Sequence, residues 1–253
     1  MVNPSELPRV GPISNPIHDF YNEYSNLAGK RLLCIGFSED EIGSYVARYA
    51  PKSITTLTKW VDHGDASIKK YPLVVGDITT RTRFADDSFD AVLTLSVLEH
   101  LSDVRAAFKE MTRLVRRGGE MLHMFGPAWS CAYGHHIYAD PADPLLNFSL
   151  WQMPAHMHLL CSRDEIRRFY RERGYPDGVG DTVLHWFYDA PIINRDFYEE
   201  YVRVMSDDCF QIDKVHLMYN DLPREHLDRL SEVHPNHSDF STYGGRYRLI
   251  VRK

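Results

Sequence analysis

Two short apolar runs, each stopped abruptly by a small or acidic residue, constrain this chain more than any other feature. Leu73-Val74-Val75 stops at Gly76-Asp77, and Asp90 to Leu95 (DAVLTL) stops at Ser96 ahead of Glu99-His100. Runs of this length with little polar alternation fit strands covered on both faces, as in parallel sheets flanked by helices. Ligands of open α/β sheets sit at the carboxyl ends of such strands. Asp77, Ile78, Leu95 and Ser96 are therefore candidate ligand contacts.

The segments around these runs complete an α/β pattern. Ser102 or Asp103 can cap a helix whose apolar positions Leu101, Val104, Phe108, Met111 and Val115 keep helical spacing. Arg113, Arg116 and Arg117 are expected in its last turn before Gly118-Gly119, with a strand following from Glu120 to Phe125. Upstream, the strand Arg31 to Gly36, the helix Asp40 to Tyr49 and the strand Ser53 to Thr58 form a β-α-β unit in which Gly36 lets a ligand approach the backbone closely. A short helix from about Pro16 to Ala28 precedes it.

The segment from Tyr71 to Phe125, with its FADDSFDAV run, the Ser96…Leu98-Glu99-His100-Leu101 stretch and Arg117-Gly118-Gly119, resembles the second half of the Rossmann-like core of class I S-adenosylmethionine-dependent methyltransferases. The resemblance implies a mixed seven-stranded sheet with helices on both faces and helical, aromatic lid insertions. It implies S-adenosylmethionine as cofactor, with Asp77 accepting from the adenine amino group, Ile78 packing on the base and the Leu95-Ser96 backbone receiving the cofactor ammonium. Gly36, Phe37, Ser38 and Lys59 complete the expected cofactor set. Two regions depart from the family. Cys34 stands where an acid is usual, and Ser38 and Asp40 stand where further glycines are usual. At the end of the second strand, Thr58-Lys59-Trp60 replaces the acid that holds the ribose hydroxyls, with Asp62 a few residues on.

The substrate side is expected in the segment after Phe125, Gly126 to Leu160 (GPAWSCAYGHHIYADPADPLLNFSLWQMPAHMHLL), a long loop rich in aromatics and histidines. Methyl transfer from a sulfonium is an in-line displacement, and a hydroxyl acceptor also needs a base. His135 or His136 is the candidate base, with His100 a third candidate catalytic residue; the alternative is a structural pair bonded to loop carbonyls. His135, His136, Asp140 or Asp143, with His156 and His158, are ligand types, but their spacing matches no metal motif and no metal is expected. Ser162-Arg163-Asp164-Glu165 reads as a capping box opening a helix to about Arg173, and the aromatic stretch His185 to Met205 reads as an inserted strand or loop plus a helix.

The chain of 253 residues reads as one methyltransferase-like domain: lead-in and cap helix 1–29, cofactor core 30–125, substrate loop 126–160, and lid insertion with C-terminal strands 161–253. The strands expected last are Phe210 to Val215 and Arg246 to Arg252, with a helix near Pro223 to Val233 between them. A net charge of −6 argues against a nucleic-acid or anionic-membrane partner, and four scattered cysteines read as reduced thiols. MVNPSELPRV does not read as a signal peptide, so the expected location is cytoplasmic. The expected function is methyl transfer to a small molecule or glycan precursor, on oxygen with a histidine base, in a possible homodimer. The alternative is a degenerate methyltransferase fold, repurposed for another reaction or serving as a regulatory partner.

Overall fold

The computed structural model of the chain describes residues 2–11, 20–59 and 70–253. Its strands are β1 (Arg31–Ile35), β2 (Ser53–Thr58), β3 (Leu73–Val75), β4 (Phe89–Leu95), β5 (Val115–Phe125), β6 (Phe210–Tyr219) and β7 (Thr242–Val251). They form one seven-stranded sheet in the order β3-β2-β1-β4-β5-β7-β6. The pairs from β3 through β5 are parallel, and β7 runs antiparallel to β5 with Glu120 opposite Ile250 and Phe125 opposite Gly245. This is the mixed sheet that the apolar runs and the resemblance imply. The helices are α1 (Phe20–Tyr24), α2 (Glu39–Tyr45), α3 (Val104–Leu114), α4 (Met157–Leu160), α5 (Arg163–Glu172), α6 (Val179–Leu184), α7 (Tyr198–Met205) and α8 (Arg224–Val233). Among the described residues, no helix is long and apolar enough to cross a membrane.

The chain groups into two compact units. The sheet unit comprises Pro16–Phe125, Tyr201–His216 and Gly245–Lys253; the other, here the histidine-rich unit, comprises Met1–Asn15, Gly126–Glu200 and Leu217–Gly244. In the sheet unit, strand alternation sends Leu32, Cys34, Ala91, Leu93 and Leu122 to one face, where they pack with Phe20 of α1 and with Ile42 and Val46 at α2. His123, on the opposite face of β5, meets Phe108 of α3 at 4.9 Å between ring centres. Helices therefore cover both faces.

Several boundaries differ from the sequence expectation. Asp103, not Ser102, caps α3, accepting from the Ala106 N–H at 2.8 Å. The helix ends at Leu114, and Val115, Arg116 and Arg117 belong to β5. Val115 satisfies the helical spacing, but it pairs with Phe89, and the register shifts before Ala91 pairs with Glu120. Gly119 makes that crossover possible: a Cβ there would lie 2.7 Å from the Asp90 carbonyl oxygen. α2 stops at Tyr45 and a 3-10 turn, Ala47–Tyr49, completes the expected helix. β6 and β7 are both longer than expected. Of the helix expected from Pro16 to Ala28, residues 20–28 are described, and there the helix ends at Tyr24.

The acids of the FADDSFD run have a structural use. Asp90 accepts from the Arg31 N–H at 2.8 Å and pairs with the side chains of Arg31 (3.1 Å) and Arg116 (2.8 Å). These bonds, Arg31's foremost, hold its carboxyl well below the usual carboxylate range. Arg113 joins Asp86 at 2.5 Å, Glu110 at 2.6 Å and the Phe84 carbonyl at 2.9 Å, clasping the turn before β4 onto α3.

In the histidine-rich unit the expected loop 126–160 is folded into a core. Tyr133, Ile137, Met153 and Met157 are buried with Ile166, Phe169, Tyr170 and Phe187. Its backbone is satisfied at long range: the Ala155 N–H donates to the Pro8 carbonyl at 2.8 Å and the His156 N–H to the Ala132 carbonyl at 3.0 Å. The Ser162–Glu165 capping box forms, with the Ser162 N–H 2.7 Å from Glu165 Oε2. The stretch from His185 is a π-helical turn to Asp189, followed by α7.

Candidate functional site

A cavity of about 170 Å³ opens at the carboxyl ends of four adjacent parallel strands. β1 supplies Ile35 and Gly36, β2 Leu57, Thr58 and Lys59, β3 leads to Gly76, Asp77 and Ile78, and β4 leads to Ser96, Val97, His100, Leu101 and Ser102. Parallel strands end on one edge, so residues distant in sequence meet there.

Gly36 has φ +81°, and a Cβ on it would lie 2.6 Å from the Leu95 carbonyl oxygen and collide with Val97. Only glycine fits this turn. At β4, Ser96 takes φ +49° while its N–H donates to the Met124 carbonyl at 2.9 Å, which turns the chain toward Val97 and the 3-10 turn Leu98–His100. Ile35, Leu57, Ile78, Val97 and Leu101 give the cavity apolar walls.

Asp77 and Lys59 form its polar edge. Asp77 Oδ1 accepts from the Thr79 N–H at 2.9 Å and from the Thr79 hydroxyl at 2.8 Å, and Oδ2 pairs with Lys59 Nζ at 2.7 Å. Burial works to raise the Asp77 carboxyl, but the Lys59 ammonium and the Thr79 bonds outweigh it and hold the group below its ordinary value. An apolar slot with a carboxylate at its edge and a glycine turn at its end suits a nucleoside. Ile78 and Leu57 can face a base, Asp77 can accept from its amino group, and Gly36 admits the rest of the ligand to the backbone.

Of the cofactor residues expected from sequence, Gly36, Lys59, Asp77, Ile78 and Ser96 line this cavity and three do not. Phe37 is buried against Tyr21 at 5.3 Å between rings. Ser38 caps α2 in a second capping box, where Glu41 Oε2 accepts from the Ser38 N–H at 2.8 Å and its hydroxyl at 2.7 Å. Leu95 is a buried core residue whose carbonyl faces Gly36. Trp60 and Asp62 lie outside the described residues. Sequence reading did not single out Val97, Leu101 or Ser102 as ligand contacts; their place just beyond the end of β4 was the available indication.

The candidate catalytic histidines are divided between the two units. His100 lines the cavity and is exposed. His135 and His136 belong to the histidine-rich unit. His135 is fully buried, 4.4 Å from the Phe187 ring and 5.2 Å from the His158 ring. Its Nδ1 accepts from the Ile137 N–H at 3.2 Å, so Nε2 carries the proton. Desolvation first, then the neighbouring His158, His136 and His156, push its pKa well below the usual histidine value. Its neutral imidazole packs against the rings of Phe187 and His158. His136 Nδ1 bonds to the Gly134 carbonyl at 2.8 Å.

His156 and His158 belong to the same buried set. His156 Nε2 lies 3.1 Å from the Ser130 carbonyl and 3.0 Å from that of Phe240, so it donates, and its Nδ1 accepts from His226 Nε2 at 3.0 Å. His158 Nε2 donates to the Trp129 carbonyl at 2.8 Å, and burial pushes its pKa down to about 3. Asp140 and Asp143 serve as turn caps, accepting from the N–H groups of Ala142 and Leu145 at 2.9 and 2.8 Å.

Strand order, glycine turn and cavity together define the class I, Rossmann-like methyltransferase fold. Comparison with known proteins agrees: residues 33–123 match the family described as methyltransferase domain. A protein named demethylmenaquinone methyltransferase from Roseiflexus castenholzii is 33% identical over 118 residues, 40% of this chain and 50% of that protein. One of the same name from Mycobacterium bovis is 44% identical over 111 residues, 43% of this chain and 44% of that protein. The chain thus spans half or less of the length of these relatives. The crystal structure of an S-adenosylmethionine-dependent methyltransferase from Mesorhizobium loti superposes with a TM-score of 0.55 at 10% identity, covering 91% of this chain and 95% of that one. Residues 33–123 are thus similar to a methyltransferase domain, and the fold is that of class I, S-adenosylmethionine-dependent methyltransferases.

Proposed function

We propose that this protein transfers a methyl group from S-adenosylmethionine to a small-molecule acceptor, and that the cavity at the ends of β1 to β4 holds the cofactor. The observation that carries the reading is the convergence of Gly36, Asp77, Ile78 and Ser96 on one cavity from three separate strand ends. When bound, the cofactor would supply an activated methyl group on a sulfonium centre. Ile78 and Leu57 would grip the base, Asp77 would orient it through its amino group, and Gly36 would leave room at the backbone for the amino-acid portion. The apolar walls would exclude water, which favours a displacement that neutralises a cation.

The relatives' name, demethylmenaquinone methyltransferase, supports an aromatic small molecule over a glycan precursor as the acceptor class. Oxygen as the accepting atom rests on His100, the candidate histidine on the cavity. There His100 would take the proton of the acceptor hydroxyl as the oxygen receives the methyl group, the carbon–sulfur electron pair staying with the cofactor's sulfur. A second reading, a fold retained for a different ligand, is favoured by the Lys59–Asp77 pair on the cavity's polar edge.

Calorimetric titration with S-adenosylmethionine and S-adenosylhomocysteine tests the reading. The native protein is expected to bind both, and Asp77→Ala to weaken binding about tenfold, the worth of one charge-assisted hydrogen bond. Absence of binding to a folded sample would sink it in favour of the second reading.

A further inference from the structure

The sheet unit carries a second cavity, of about 310 Å³, larger than the one at the strand ends and sharing no lining residue with it. It opens between α3 and the segment that joins α7 to β6. Phe108 of α3, Val204 of α7 and Phe210 at the start of β6 form an apolar floor. The two phenylalanine rings meet edge to face at 5.7 Å between centres. An apolar cavity of about 150 Å³ holds a benzene, so this one has room for about two rings.

The rim is charged. Asp207 Oδ1 accepts from the Cys209 N–H at 3.0 Å; that bond, the Cys209 thiol and the nearby Arg105 guanidinium hold the Asp207 carboxyl below its ordinary value. Arg105 and Asp207 thus offset each other. Lys109 lies one helical turn beyond Arg105 on the same side of α3, and it is exposed. Among the described residues, none gives its ammonium an ion pair or a hydrogen bond. One cation beside an apolar floor is complementary to an anion on an apolar body.

We infer that this cavity is a second ligand site, which takes a small aromatic carboxylate with its rings on Phe108 and Phe210 and its charge on the Lys109 ammonium. Ring contacts with the two phenylalanines hold the body of the ligand. Lys109 selects its charge.

Biphenyl-4-carboxylate and its neutral counterpart biphenyl-4-methanol, titrated into the purified full chain, test the site. Cys209 is the reporter, because it lines the cavity and, of the four cysteines, all among the described residues, it alone is exposed. At twice its dissociation constant the carboxylate should slow carbamidomethylation of Cys209 by iodoacetamide about threefold, read by mass spectrometry. Lys109→Gln, at an exposed position, should lower the ratio of carboxylate to alcohol affinity about fivefold, the upper range for an ion pair open to solvent. Lys109→Glu should lower it further. Added salt should shrink the ratio in the native protein and leave it unchanged in Lys109→Gln. An unchanged ratio in both variants, absence of binding, or carboxylate binding that leaves Cys209 as reactive as before would overturn the inference. Protection of Cys209 that rises with protein concentration alone would overturn it too, since a second copy of the chain would then fill the groove.

Discussion

Buried polar groups are handled differently in the two units. In the sheet unit the buried carboxylates are charged and paired: Glu120 meets Lys30 and Arg248, and Glu110 meets Arg113 and the Thr82 N–H and hydroxyl. In the histidine-rich unit buried imidazoles take their place, neutral and bonded to carbonyls and to one another, as in the chain from His226 through His156 to Ser130 and Phe240. Paired charges hold their geometry over a wide pH range. A core of buried imidazoles holds only while it stays unprotonated.

Acid should therefore separate the units, and this is the largest effect expected. Burial lowers His158 to about 3 and His226 to about 4, and takes His135 and His156 well below the usual value. In the unfolded chain these groups titrate near pH 6.5, so on acidification the unfolded state takes up protons first. The stability they leave intact above pH 6.5 falls as the pH drops toward 3, by about 1.4 kcal/mol per pH unit for each fully buried histidine. The sheet unit has His123, also lowered by burial to about 3, against these four, and its carboxylates lose their pairing only below the usual carboxylate range. Hydrogen exchange followed by mass spectrometry between pH 7 and pH 4.5 should show Tyr133, Phe187 and their neighbours losing protection before β1 and β4. Simultaneous loss would break the comparison.

What sequence could reveal follows the same division. β2 and β3 were readable to the residue because their β-branched and leucine residues favour strand and each ends at a polar or glycine stop. The end of α3 was not, because Val115 obeys helical spacing and only its pairing with Phe89 makes it a strand residue. On the cavity, strand ends identified Asp77 and Gly36, whereas Phe37 and Ser38 follow the glycine in sequence but turn into packing and capping. The histidine-rich unit was opaque for a plain reason. His156 bonds to His226, 70 residues away, and neither has a local pattern that announces the other. Residues 126–160 consequently resembled a loop, although contacts with Pro8, Phe169 and Phe187 fold them into a core.

A mid-sized effect tests whether the charges of the sheet unit contribute stability. Arg113→Met keeps the apolar stem but removes the bonds to Asp86, Glu110 and the Phe84 carbonyl, leaving Glu110 buried with only Thr82. The expected loss is about 2 kcal/mol, mostly the cost of an under-satisfied buried carboxylate. Denaturant unfolding monitored at β4 would measure it. A loss below about 0.5 kcal/mol would place the pairing with ordinary surface salt bridges.

The smallest expected effect uses a motif present in both units. Ser38–Glu41 opens α2 and Ser162–Glu165 opens α5, each with the serine N–H bonded to the glutamate and the glutamate N–H bonded to the serine hydroxyl at 3.3 Å. Ser162→Ala should cost about 1 kcal/mol, the usual worth of such a cap, seen as faster hydrogen exchange in the first turn of α5. Ser38→Ala should cost about the same at α2, and because Ser38 lies outside the cavity, binding of S-adenosylhomocysteine should change by less than about twofold. If Ser38→Ala instead weakened binding by about tenfold while its exchange effect matched that of Ser162→Ala, Ser38 would be a ligand contact, as its place two residues after Gly36 suggests from sequence alone. The two serines, alike in local chemistry, thus isolate what proximity to the glycine turn adds to a helix cap.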